Sequence, residues 1–179
     1  MKVQHIRPED IERASMDIIS RELCEQEIVL PEEHAAIVKR VIHTTADFDF
    51  VQNLCFTPGA VKLGKEALGR GAAIITDTNM AMAGISKPAL AKLGGQVFCF
   101  MADKDVEQAA KEKGTTRAVA AMEKAARRHP NAIFAVGNAP TALLRIAELI
   151  DEGLRPALVI GVPVGFVNVV ESKETAMAV

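Results

Sequence analysis

Tryptophan and tyrosine are absent from this chain, and phenylalanine occurs seven times in 179 residues. A surface that stacks nucleobases needs aromatics interleaved with basic residues, so the composition gives no support for a single-stranded nucleic-acid partner. An excess of one charge is lacking too: 21 Lys and Arg against 23 Asp and Glu give a net charge of −2. Without it, the attraction that draws proteins to nucleic acid or to an anionic membrane is missing. No apolar run approaches the roughly 18–20 residues of a membrane span. The start, Met1-Lys2-Val3-Gln4-His5, has no apolar stretch of the kind a signal peptide carries. Cysteine is scarce. Cys24, Cys55 and Cys99 are odd in number, far apart and without metal-ligand spacing, which reads as reduced thiols in a cytoplasmic protein. No G-x-G-x-x-G occurs, so nothing marks a dinucleotide site.

What is present is aliphatic: hydrophobic residues make up 49% of the chain, enough for one domain with a sizeable core of Ala, Val, Ile, Leu and Met. Residues 1–70 read as helical. Pro8 to Leu23 is a first helix, with Ile11, Ala14, Ile18 and Ile19 sharing a face. A second starts at Pro31-Glu32-Glu33 and runs to about His43. Thr57-Pro58, read as an N-cap followed by proline, opens a third that ends near Gly69. Over 71–165 short apolar strands (72–76, 96–101, 132–136, 157–160) alternate with helices (88–93, 103–113, 115–129, 140–152). That alternation predicts an α/β, three-layer, doubly wound and mostly parallel sheet with helices on both faces. Residues 166–179 begin a last helix.

In such sheets ligands sit beyond the carboxyl ends of the strands. Those ends read Thr76-Asp77-Thr78-Asn79-Met80, Asp103-Lys104-Asp105, Gly137-Asn138-Ala139-Pro140-Thr141 and Gly161-Val162-Pro163-Val164-Gly165. The turn at Asn138 offers backbone N–H groups and a positive helix end to an anion such as a carboxylate, or is simply a capped helix. The start at Thr115-Thr116-Arg117 adds a guanidinium able to fork a carboxylate, or to make a surface ion pair. Gly59-Ala60-Val61-Lys62-Leu63-Gly64-Lys65 nearly spells a phosphate-binding loop. However, Glu66 replaces the hydroxyl that binds magnesium, and no strand precedes it.

His43 is followed at once by Thr44, Thr45, Asp47 and Asp49. An imidazole holds or gives a proton near neutral pH, and neighbouring hydroxyls and carboxylates can orient it. The plain alternative is a histidine that closes a helix and meets its dipole. Taken alone, the local pattern favours that alternative.

Four stretches together change the balance: Val41-Ile42-His43-Thr44-Thr45-Ala46-Asp47-Phe48-Asp49-Phe50, Asp77-Thr78-Asn79-Met80, Gly137 through Arg145, and Gly161 through Phe166 with Glu171-Ser172-Lys173. In these the chain resembles, over nearly its whole length, the precorrin-8X (cobalt-precorrin-8) methylmutase family of cobalamin biosynthesis. Ser15 falls where the family carries a serine, whereas Met16 stands where an aromatic is expected. The family continues past the Glu-Ser-Lys helix into a glycine-rich basic segment and a last helix, and that segment is expected to be missing here. The resemblance implies a homodimeric isomerase that shifts a methyl group from ring carbon eleven to ring carbon twelve of a corrinoid tetrapyrrole. The product is hydrogenobyrinate or its cobalt counterpart, and no cofactor or metal is added. It implies His43 as the catalytic residue. Ser15, Asp77, Thr78, Thr115, Arg117, Asn138, Thr141 and Lys173 are then expected to bind substrate. Two other classes stay open at this level. A tetrapyrrole carrier would use the same carboxylate grips without His43. A hydrolase with His43 as base and Asp47 as its orienter would need a nucleophile turn, and no G-x-S-x-G is present.

Overall fold

The computed structural model describes residues 7–179, so the opening Met1-Lys2-Val3-Gln4-His5 lies outside it. Among the described residues the chain forms two compact units, divided between Val61 and Lys62. The first is a helical hairpin with a short addition: α1 (Pro8–Glu25), α2 (Glu32–Thr45) and α3 (Phe50–Asn53). Pro8 stands in the first turn of α1, where its missing N–H costs nothing. Ile19 and Leu23 of α1 meet Val38 and Ile42 of α2, and Met16, Phe48 and Phe56 pack around them. The face expected from Ile11 and Ile18 is displaced, because both are exposed. Spacing of four residues puts Ser15, Ile19 and Leu23 in the stripe that meets α2.

The second unit holds α4 (Ala60–Gly69), which begins in the first, then β1 (Ile74–Thr76), α5 (Asn79–Gly84), α6 (Lys87–Lys92) and β2 (Val97–Phe98). There follow α7 (Lys104–Lys113), α8 (Arg117–Arg128), β3 (Ile133–Val136), α9 (Pro140–Asp151), β4 (Leu158–Gly161) and α10 (Val169–Ala178). The four strands are parallel in the order β2-β1-β3-β4. From β1 the chain moves one way to β2; from β3 it moves the other way to β4. This is the doubly wound pattern, and its switch point lies between the carboxyl ends of β1 and β3. Helices cover both faces of the sheet. On one face Ile75, Phe134 and Val136 pack with Val106, Met122, Leu143 and Ile146 of α7, α8 and α9. On β4 the pleat sends Gly161 against Leu143 of α9, and Leu158 to the opposite face against Gly64 of α4. Gly64, part of the near-match to a phosphate loop, is therefore a helix–sheet packing position.

Two expectations need correction, and one helix was not foreseen. The third helix starts at Ala60 and not at Pro58, because Gly59 intervenes with a φ of +73°. The second strand is two residues long and not six: it pairs with β1 only at Val97 and Phe98, and β1 ends at Thr76, so residues 100–101 have no strand beside them. The turn after β1 is itself a helix, α5, capped by the Thr78 hydroxyl, which accepts the Ala81 N–H at 3.0 Å.

Gly71, which leads into β1, has a φ of +78°, and a Cβ there would stand 3.2 Å from the carbonyl oxygens of Leu93 and Gly94. Left-handed backbone alone costs a non-glycine residue about 1–2 kcal/mol. Gly71→Ala is therefore expected to lower unfolding stability by roughly 2 kcal/mol in denaturant titrations, with the carbonyl crowding included. Gly84→Ala, in open space, is the control and should be neutral or stabilising.

Candidate active site

In the first unit, α2 carries His43 and α1 carries Ser15. Ser15 Oγ and His43 Nδ1 lie 2.7 Å apart, across 28 residues of sequence, and both are half-buried. The helices run antiparallel, as the second polar crossing shows: Lys39 Nζ donates to Ser20 Oγ at 2.9 Å. The groups that follow His43 do something else. Thr44 and Thr45 donate their hydroxyls to the Arg40 and Val41 carbonyls at 2.9 and 2.8 Å, Asp47 accepts the Asp49 N–H at 2.9 Å, and Ala46 closes the helix in the left-handed conformation. They build the helix end, so Asp47 is not the orienting partner of His43. That partner is Ser15, whose hydroxyl, expected on the substrate, makes its bond to the imidazole.

In the second unit, Asp77 follows β1 at the switch point and is 1% exposed. Its carboxylate accepts three backbone N–H groups: Gly137 at 3.0 Å, Asn138 at 2.8 Å and Ala139 at 2.7 Å. These donors form the turn that opens α9, whose first residue, Pro140, has no N–H to offer. The anion site read from the sequence exists, but the protein's own carboxylate fills it. In this structure Asp77 and the Asn138 backbone are therefore bonded to one another as part of the scaffold. Thr78 is spent as the α5 cap. Thr115 is not a helix start either, since its N–H closes α7 on the Ala110 carbonyl at 3.0 Å. The cap of α8 is Thr116, whose hydroxyl accepts the Val119 N–H and lies 3.3 Å from the Thr141 hydroxyl. The two helix starts thus come together at Thr116 and Thr141, with Arg117 and the Asn138 side chain exposed beside them in sequence. Thr116 was missed, though a second hydroxyl directly before Arg117 was the available signal. Lys173 is exposed on α10.

Beyond β2, the expected polar end is closed by a lysine the sequence reading passed over. Lys124, 8% exposed, donates to Asp103 at 2.7 Å and to both oxygens of Asp105 at 2.6 Å, with its nitrogen 5.4 Å from the Phe100 ring centroid. The Lys124 hydrogen bond holds the Asp105 carboxyl below the usual carboxylate range. That pairing therefore favours the fold above the unfolded carboxyl's range, and is lost as pH falls through the lower folded value. Among the described residues no three His, Cys, Asp or Glu side chains gather to hold a metal ion.

The model of the precorrin-8X methylmutase family matches residues 10–179. This chain belongs to that family. A cobalt-precorrin-8 methylmutase of Priestia megaterium is 42% identical over 170 residues, covering 94% of this chain and 75% of that protein. The Salmonella typhimurium cobalt-precorrin-8 methylmutase is 44% identical over 172 residues, covering 94% and 80%. The solved precorrin-8X methylmutase of Thermus thermophilus superposes with a TM-score of 0.86 at 40% identity, over 95% of this chain and 82% of that one. The methylmutase fold and the doubly wound sheet thus agree. Family members are isomerases that move a methyl group, and this chain is an enzyme of that kind.

Asp77 gives the sharpest test of the scaffold reading. Removing its carboxylate leaves three N–H donors unpaired at a buried turn. Asp77→Ala is expected to cost roughly 3 kcal/mol of unfolding stability, with Asp77→Asn intermediate, as read from urea unfolding midpoints. An unchanged midpoint with a raised KM would instead return Asp77 to the substrate.

Proposed function

We propose that this chain catalyses the methyl shift from ring carbon eleven to ring carbon twelve of a precorrin-8 or cobalt-precorrin-8 macrocycle, with His43 as the proton donor. The observation that carries the assignment is the imidazole held by Ser15 at Nδ1, on helices that lie within the residues the family model matches. Migration of a methyl group around a conjugated ring redistributes charge. A positioned donor lowers the barrier by stabilising that charge as it develops. The proton leaves Nε2 for the macrocycle as the methyl group moves and returns when the product settles, so the isomerisation balances without a cofactor. Arg117, Lys173, Thr141 and the Asn138 side chain are proposed to hold peripheral carboxylates through charge-assisted or ordinary hydrogen bonds. Such contacts are the same before and after the shift and act mainly on binding.

We place the enzyme in the cytoplasm, as its three free thiols favour. Among the described residues no helix is long and apolar enough to cross a membrane. We also propose a homodimer. Val162, Val164, Phe166 and Val167, in the segment after β4, are all exposed, and clustered apolar surface of that kind marks an interaction site. Sedimentation at assay concentration is expected to give a dimer; a monomer with full turnover would count against it.

His43→Ala is expected to lower kcat by about 10²–10⁴-fold, the usual span of one general acid, while product still binds. Single-turnover conversion followed by visible absorption, with product binding titrated in parallel, measures both. Arg117→Ala in the same assay should raise KM and leave kcat nearly unchanged. Near wild-type turnover by His43→Ala would remove the assignment.

A further inference from the structure

Ser15 ends an apolar stripe. Ile19 and Leu23 follow it at four-residue spacing and are 5% and 3% exposed in the helix–helix contact, where an aliphatic side chain at 15 would extend the same packing. A hydroxyl stands there instead, 2.7 Å from Nδ1 of His43. Among the described residues no group bonds the other ring nitrogen, Nε2. We infer that Ser15 is a positioning residue for the methyl shift: by engaging Nδ1 it makes Nε2 the nitrogen that delivers the proton. This rests on the reading of His43 as proton donor.

The chemistry of a hydroxyl suits the task. Serine has one O–H to donate and lone pairs to accept with, so its partner can change protonation without breaking the contact. When the ring is charged, Nδ1–H donates to Ser15 Oγ. After Nε2 has given up its proton, the neutral ring that remains carries its hydrogen on Nδ1, and the same bond persists. The ring has no reason to turn between steps, and Nε2 is ready to take the proton back. A carboxylate in this place would stabilise the cation and oppose release of its proton, whereas the hydroxyl orients the ring without adding charge. The position is also well supported. Ser15 and His43 sit on two helices locked by Ile19, Leu23, Val38 and Ile42, so the distance is set by packing and not by a loop.

Nitrogen-15 NMR of histidine-labelled enzyme tests this directly, with the His43 signals assigned from their absence in His43→Ala. At a pH where the ring is neutral, wild type is expected to show the hydrogen on Nδ1. In Ser15→Ala the ring should shift towards the Nε2–H form that free imidazole prefers. With it, kcat should fall by about 10–10²-fold, the usual effect of losing a partner that orients a histidine, with KM little changed. Ser15→Thr keeps the hydroxyl and should restore both the tautomer and the rate; it also serves if the alanine variant is poorly folded. Ser15→Ala with an unchanged tautomer and kcat overturns the inference, as does a threonine variant as slow as alanine. A raised KM with unchanged kcat would make Ser15 a substrate contact instead. The NMR arm needs no turnover, so it stands even if His43→Ala shows that the donor reading is wrong.

Discussion

A carboxylate removed from water must find donors, and Asp77 finds three at one turn. It lies at the switch point of the sheet, where the connections from β1 and β3 part in opposite directions and leave a crevice. Doubly wound proteins often offer that crevice to an anionic ligand. Here Gly137, Asn138 and Ala139 point their N–H groups at an aspartate of the neighbouring strand. The bond set ties the end of β1 to the start of α9 and satisfies a positive helix end internally. It also fixes where α9 begins, and through Thr141 the place where α9 meets the start of α8. The neighbouring Lys124 cluster does the same for α7 and α8, using Asp103 and Asp105. Much of the polar chemistry at the strand ends is thus spent on holding the helices in position.

The hairpin of the first unit works under a different constraint. Its helices are held by aliphatic contact, and a polar pair replaces part of that contact at Ser15 and His43. A buried or half-buried polar pair gains little net stability over apolar packing of the same size. Its value lies in orientation. The charged and neutral forms of the ring meet the same hydroxyl, so the catalytic nitrogen is defined by what its sister nitrogen already holds.

Legibility differed by kind of feature. The parallel α/β sheet was readable because 132–136 and 157–160 are short apolar runs bounded by glycine, proline and helical spacing, and those local signals suffice for buried strands. Helices α3 and α5, four and six residues long, are too short to show a 3.6-residue period, and neither has the proline start and Gly94-Gly95 close that mark the equally short α6. The over-long second strand has a reason outside itself: residues 100–101 continue the apolar run, but β1 ends at Thr76, before it can pair with them.

The candidate site divides along the same line. By itself the sequence determined residue identities and family motifs: His43 after an apolar helical run, a serine at 15, a Gly137-Asn138-Ala139-Pro140 turn and an Asp77 at a strand end. Those are local facts, carried by spacing and residue type. Only the tertiary structure decided which groups meet. It joined Ser15 to His43 across 28 residues and Asp77 to a turn 60 residues away. It also turned Asp47, the nearest carboxylate in sequence, into part of a helix end. Side-chain hydrogen bonds reach only about 3 Å, and adjacency at that scale is set by how helices and strands pack, which no stretch of chain contains on its own.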